Sequence, residues 1–217
     1  MRPILVIGNR NYSSWSLRGW LAMRKAGVDF EVLRLPLDTS EFAERIGDYS
    51  PSHRVPVLQD EDQFVWESTA ICEYANDRWA DGKLLPDDVA SRGWARSVMA
   101  EMHAGFTTLR ARMPMNCRAE NRRVEIDAAL QSDIDRICAI WAECLAADRE
   151  GPWLFGKWSL ADAMYAPVAL RFKSYAVDLP PAAIAYVETT LADPDIAEWV
   201  AAGRAETEIV EADEAGI

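Results

Sequence analysis

The spacing of apolar residues divides the chain into two unlike parts. Ile4 to Ile7 is a continuous apolar run, the pattern of a strand covered on both faces. From Ser16 to Ala26 the apolar residues Leu17, Trp20 and Leu21 fall at helical intervals, and Gly27 supplies a stop. Residues 29–35 alternate, Phe30 and Val32 against charges, and predict a second strand. Two short strands, 55–59 and 63–66, flank the acidic turn Asp60-Glu61-Asp62. Ser68 is then placed to cap a helix with Ile71, Tyr74 and Ala75 on one face. Strand, helix, strand implies a parallel pair with a right-handed crossover, and the close-coupled pair implies an antiparallel hairpin. A small mixed sheet with helices on its faces satisfies both.

Strand signals end after Trp79. Residues 81–88 are rich in Asp, Gly, Lys and Pro and read as a linker. A long helix is expected over 89–111, with Trp94, Val98, Met102, Phe106 and Leu109 in steps of three and four, and Pro114 ending it. A second is expected over 122–147, and shorter ones near 160–175, 181–191 and 194–203. Residues 206–217 are acidic and are expected to fray. The outline is an α/β domain over 1–80, a linker over 81–88, an all-α domain over 89–205 and an acidic tail.

Composition narrows the function classes. The 217 residues are 50% hydrophobic, enough for a well-filled core, and carry a net charge of -12. That charge repels phosphate backbones and anionic bilayers, so neither nucleic acid nor membrane is an expected partner. Cys72, Cys117, Cys138 and Cys144 form no C-x-x-C pair and read as free thiols in a reducing cytoplasm. With only two histidines and no Cys/His cluster, no metal site is expected. The apolar stretch after Met1 is too short for a signal segment.

Three places carry chemistry. Asn11-Tyr12-Ser13-Ser14-Trp15-Ser16 joins the first strand to the first helix, at the carboxyl end of the strands where open α/β sheets bind ligands. Val55-Pro56 opens a strand with a residue that lacks a ladder donor. It is either a plain edge proline or a turn with a cis bond that frees the main chain of Val55 for an added peptide strand. Glu67-Ser68 lies where a strand meets a helix start. There, free amides and a hydroxyl suit a carboxylate and Glu67 suits an ammonium, although an ordinary helix cap has the same look.

The order His53-Arg54-Val55-Pro56-Val57-Leu58, then Glu67-Ser68, resembles the glutathione-holding edge of the cytosolic glutathione transferases. The stretch Tyr12 to Arg18, running on through Ala26-Gly27-Val28-Asp29-Phe30-Glu31, is similar to the zeta class and related serine-type members. Ser159-Leu160-Ala161-Asp162-Ala163 resembles that family's helix-starting capping box. The resemblance implies a thioredoxin-like N-terminal domain followed by an all-helical C-terminal domain. It also implies glutathione as co-substrate, a small electrophile as partner, and a homodimer.

By the same resemblance Ser13 donates a hydrogen bond to the glutathione sulfur, with Ser14 the second choice. Val55 pairs with the cysteinyl part, Arg54 meets the glycyl carboxylate, with His53 the weaker candidate for that task, and Glu67 and Ser68 hold the γ-glutamyl end. The electrophile site is expected from Trp15 and from the long helix, where His103, Phe106, Thr107 and Arg110 share a face. Phe106 there also suits the core, and Arg18 and Arg171 either add positive charge to the cleft or are solvated helix residues. Trp15 stands where the zeta class usually has cysteine, which weighs against zeta-type isomerisation of maleylacetoacetate. The implied activity is transfer of glutathione to an electrophile. The alternatives are a glutathione-dependent isomerase and a binding or regulatory protein with little turnover.

Overall fold

The structure, a computed structural model, describes residues 2–147 and 149–216. Its first part holds β1 (Ile4–Ile7), α1 (Ser14–Lys25), β2 (Glu31–Arg34), α2 (Ser40–Arg45), β3 (Val57–Asp60), β4 (Gln63–Trp66) and α3 (Ser68–Trp79). The rest is helical: α4 (Val89–Ala104), α5 (Thr107–Arg112), α6 (Ala128–Ala146), α7 (Leu160–Ser174), α8 (Pro181–Ala192) and α9 (Pro194–Ala205). Among the described residues no helix is long and apolar enough to cross a membrane.

The sheet runs β2-β1-β3-β4. β1 lies parallel to β2 and antiparallel to β3, which pairs antiparallel with β4. The apolar run of β1 is buried on both faces with the expected period of two. Leu5 and Ile7 join Leu58 in a core with Leu17, Leu21 and Ile71 of α1 and α3. Val6 faces the other way, with Val57, Leu35 and Ile46, under Phe42 of α2. The first core continues without a break into the helical part, where Trp20 meets Trp199 at 5.3 Å and Trp141 packs against Tyr165 and Tyr186. α1 is therefore shared by both parts, and its N-terminus opens at their junction.

Several expectations are corrected. The helix expected over 89–111 is two helices. A side chain at Gly105 would come within 2.8 Å of the Glu101 carbonyl, and Phe106 is left-handed at φ 55°, so the chain turns there, well before Pro114. α6 starts at Ala128 rather than near 122, capped by Asp127, whose side chain accepts from the Leu130 amide. Residues 122–127 run as a connector tied to Ser174 through the Arg122 amide. Helix α2, capped by Thr39, lies in a stretch with no sequence signal assigned to it. Ser68 is not a cap: it is the first residue of α3, behind Glu67 at φ 71°.

The tail is not frayed over its described part, residues 206–216. The Glu206 carboxylate accepts from the amides of Arg10 and Asn11 at 2.9 and 3.1 Å. Glu214 accepts from the Tyr12 hydroxyl at 2.6 Å and from Asn116 Nδ2 at 2.9 Å, and pairs with Arg122. Basic partners absorb the acidity that composition alone assigns to solvent. Ile217 lies outside the described residues.

α9 grips the same loop. A side-chain carbon at Gly203 would lie 3.0 Å from the Asn11 nitrogen and 3.1 Å from the Arg10 carbonyl carbon, both backbone atoms that have no room to move. Gly203→Val is expected to destabilise the protein by about 2 kcal/mol, the usual scale of overpacking. A thermal melt no lower than that of the wild type would contradict this.

Candidate active site

The loop from Gly8 to Ser13 is held on every side before any ligand arrives. Asn9 Oδ1 accepts from the Leu37 amide at 2.7 Å, and the Asn9 carbonyl accepts from the Ser13 amide at 2.8 Å. Asn11 donates to Asn116 Oδ1 at 3.0 Å, and Trp199 Nε1 donates to the Arg10 carbonyl at 2.8 Å. The Tyr12 hydroxyl is occupied by Glu214 and by Arg118 Nη2 at 2.5 Å, so its ring, not its oxygen, is free to face a ligand.

Ser13 caps α1. Its Oγ accepts from the Ser16 amide at 3.3 Å and donates to Ser16 Oγ at 2.7 Å. Ser14 Oγ accepts from Arg171 Nη2 at 3.3 Å. Both serines line a cavity of about 570 Å³ with Trp15, His53, Arg54, Val55, Thr107, Arg110, Arg171 and Asp213. The first turn of α1 has no acidic residue to quench the potential of its free amides.

A second cavity of about 280 Å³ adjoins the first across the shared residues Trp15, Arg54, Val55 and Arg110. It brings together Val55, Pro56, Glu67, Ser68 and His103. The Val55-Pro56 bond is cis. Among the described residues the Val55 main chain has no backbone hydrogen-bond partner, and neither has the Ser68 hydroxyl, although Ser68 is 1% exposed. A buried hydroxyl left unpaired beside a helix start is costly and points to a ligand that completes it.

His103 belongs to this second cavity and not to the first. Its Nδ1 lies 2.9 Å from Thr69 Oγ1 and its Nε2 lies 3.8 Å from Glu67 Oε2, so α4 reaches across to the small domain here. Burial, then Arg18, lowers its pKa, with Glu67 opposing. Thr107 and Arg110 line the first cavity, whereas Phe106 is buried in the helical core and lines neither.

Arg18 and Arg171 are both buried, which overturns the solvated alternative, and Arg171 lines the larger cavity. Arg18 is 0% and Arg171 4% exposed. Arg18 donates Nε to the Met164 carbonyl at 3.1 Å while both its terminal nitrogens lack partners. Arg171 Nε donates to the Met113 carbonyl at 2.7 Å. Burial, then the neighbouring guanidiniums, pushes Arg18 down to about 9. Burial pushes Arg171 down to about 10, with Asp213 opposing. The Trp15 indole lies between Arg18 at 4.3 Å and Arg110 at 5.2 Å, with the His103 ring edge-on at 5.2 Å. The cavity wall therefore carries more cation than anion, inside a protein of opposite net charge. No sequence period marks these arginines: only the packing of α1 against α7 shows that they turn inward.

The sequence matches the family model for the glutathione S-transferase N-terminal domain over residues 12–78 and that for the C-terminal domain over residues 119–202. The chain belongs to the glutathione S-transferase family. Its thioredoxin-like α/β part followed by a helical part is that family's architecture. A probable maleylacetoacetate isomerase of Caenorhabditis elegans is 31% identical over 108 residues, half of each chain. The chain thus spans about half the length of that relative. The maleylacetoacetate isomerase of Rattus norvegicus is 25% identical over 185 residues, 83% of this chain and 82% of the rat protein. The crystal structure of a glutathione transferase homolog from Burkholderia GL BGR1, with bound glutathione, has the same fold. Its TM-score is 0.72 and its identity 24%, over 95% of this chain and 100% of that one. Within the chain the two family spans carry Ser13, Val55, Glu67, Ser68 and Arg171. Asp213 lies beyond both.

Proposed function

We propose that this glutathione S-transferase family member holds glutathione in the smaller cavity and activates its thiol for attack on a small electrophile in the larger one. The observation that carries the reading is the unpartnered, buried Ser68 hydroxyl, set between Glu67 and the free main chain of Val55. In this reading Ser68 and the first amides of α3 take the γ-glutamyl carboxylate, and Glu67 takes its ammonium. Val55 pairs with the cysteinyl unit, and Arg54, at the mouth shared by both cavities, meets the glycyl carboxylate. The sulfur then falls toward Ser13, whose hydroxyl turns from Ser16 Oγ to donate to the thiolate and lowers the thiol pKa together with the α1 amides. The oxygen of Ser13 still accepts from the Ser16 amide in that state, which makes the hydroxyl a better donor. The bound glutathione of the Burkholderia homolog supports the choice of co-substrate.

Ser68→Ala is expected to weaken glutathione binding about tenfold, the loss of one hydrogen bond to a charged group. The free protein is expected to keep its stability, because the removed hydroxyl has no partner. Calorimetric titration and a thermal melt check the two halves. Unchanged affinity would remove Ser68 from the site, and absence of glutathione binding by the wild type would end the transferase reading.

A glutathione-dependent isomerase is the second reading. It is favoured by the names of the worm and rat relatives and by Arg110 and Arg171 in the larger cavity, which suit a carboxylate-bearing substrate. Rates on aryl halides, organic peroxides and maleylacetone, each with glutathione, separate the two. Glutathione binding without turnover on the whole panel would favour a binding or regulatory role. A homodimer, with the small domain of one subunit against the helical domain of the other, belongs to the same proposal. Trp66, 44% exposed on the edge strand β4, suits burial there, and sedimentation as a monomer at micromolar concentration would overturn it. A cytoplasmic location is proposed from the four free cysteines.

A further inference from the structure

One residue of the larger cavity's lining, Asp213, comes from beyond both family spans. Residues 206–216 form a strap anchored at several points. The Glu206 carboxylate sits on the Arg10 and Asn11 amides, and the Arg118 guanidinium reaches the carbonyls of Glu206 at 2.6 Å and Glu208 at 2.9 Å. Glu214 binds Tyr12, Asn116 and Arg122, and Arg122 Nη1 donates to the Ala215 carbonyl at 2.9 Å. Between these anchors the short turn Glu211–Asp213 puts Asp213 on the cavity. Asp213 is the one acid among that cavity's lining residues. It shares the wall with Arg110 and Arg171, and no ion pair within 4.0 Å neutralises it among the described residues. Burial, with Asp38 and Glu214, pushes its carboxyl up to about 6 against the pull of Arg171, so it is ionised above that pH.

Resting on the transferase reading of this cavity, we propose that Asp213 is a specificity-determining residue: its carboxylate offsets one of the two guanidiniums, so that the cavity accepts an electrophile with one carboxylate and disfavours one with two. Arg54 does not alter this balance, because in that reading it is used by the glycyl carboxylate. An acid placed on a purpose-anchored strap, facing guanidiniums without pairing with them, adjusts the charge of the space between them rather than the stability of the wall.

The test is calorimetric binding at pH 8 of three probes of similar shape, 4-nitrobenzamide, 4-nitrobenzoate and 4-nitrophthalate, to the wild type and Asp213→Asn. In the variant the dianion is expected to gain about tenfold in affinity relative to the monoanion, the size of one screened charge contact, and the neutral probe to stay unchanged. Arg122→Gln loosens the strap without altering the charge that faces the cavity, and should move all three probes alike. An unchanged dianion-to-monoanion ratio in Asp213→Asn overturns the proposal. So does a neutral probe that shifts as much as the anions, or a failure of every probe to bind either protein. Stabilisation of the same samples by glutathione reports separately on the transferase reading. Probe selectivity that survives while glutathione has no effect would retain the role of Asp213 in charge selection and discard the conjugation chemistry.

Discussion

Ser13→Ala is expected to lower kcat/KM for glutathione conjugation by about 100-fold, while glutathione affinity stays within a few fold. The expectation rests on where the hydroxyl sits. Ser13 is 7% exposed at the N-terminus of α1 and opens on the larger cavity, where the thiolate must form. A preorganised donor to developing negative charge, in a site shielded from water, is worth about 3 kcal/mol. In the proposed reading most of glutathione's binding groups lie in the other cavity, so removing the hydroxyl touches the reactive state and spares the ground state. Bound glutathione in the variant should titrate about 1–2 pH units higher, read from thiolate absorbance against pH.

Two controls make this specific. Ser13 also caps α1, so the alanine variant loses about 1 kcal/mol of stability. Ser13→Thr keeps both cap and donor and should recover activity. Ser14, whose oxygen accepts from Arg171, is the rival donor. If Ser14→Ala abolishes activity while Ser13→Ala leaves it intact, the roles are reversed.

Asp162→Ala is expected to destabilise the protein by about 3–4 kcal/mol, a large share of the 5–15 kcal/mol typical of folded proteins. Asp162 is 1% exposed at the start of α7. Its carboxylate accepts from the amides of Leu154 at 3.1 Å and Ser159 at 2.8 Å, and from the hydroxyls of Ser159 and Tyr186, both at 2.9 Å. Alanine strands these donors inside the core, and the penalty is the desolvation of each one. Urea unfolding should show a lower midpoint with an unchanged slope. A variant as stable as the wild type would refute the capping-box role. Burial pushes the Asp162 carboxyl up to about 6 from an ordinary 3.8. The folded state therefore holds this proton more tightly than the unfolded chain. The group's contribution to stability is complete below the ordinary value and falls as pH rises through about 6. Asp162→Asn has no such proton, so its stability relative to the wild type should improve over that interval. The effect reaches the site because α7 supplies the Met164 carbonyl that holds Arg18, and Arg171 itself.

Much of the fold was legible in the chain because it rests on local periodicity. Ile4–Ile7 reads as a strand buried twice because both its faces are apolar, and the hairpin of β3 and β4 follows from two short strands around an acidic turn. The break at Gly105-Phe106 was hidden by an unbroken helical stripe: the periodicity of apolar residues does not register a single left-handed residue. Glu67-Ser68 suited either a ligand's charged groups or a helix cap by residue type, and only their order after Val55-Pro56 favoured the first expectation. That Ser68 is unpaired rather than a cap depends on the positive φ of Glu67, which no pattern of side chains encodes.

By itself the sequence determined the order of the strands and of the helices other than α2 and the α4–α5 break, the two-part architecture and the chemical types gathered at each loop, because these depend on short-range spacing and on residue identity. Only the tertiary structure decided which way the arginines turn, that His103 joins the smaller cavity, and that the acidic tail docks and brings Asp213 to the larger one. Those outcomes are set by long-range contacts. A guanidinium on a helix faces solvent or interior according to what packs on that face, and Arg18 and Arg171 are enclosed because α1 and α7 meet there. A run of carboxylates frays or folds according to whether cations stand opposite it. Here Arg34, Arg118 and Arg122 do so, brought from distant parts of the chain.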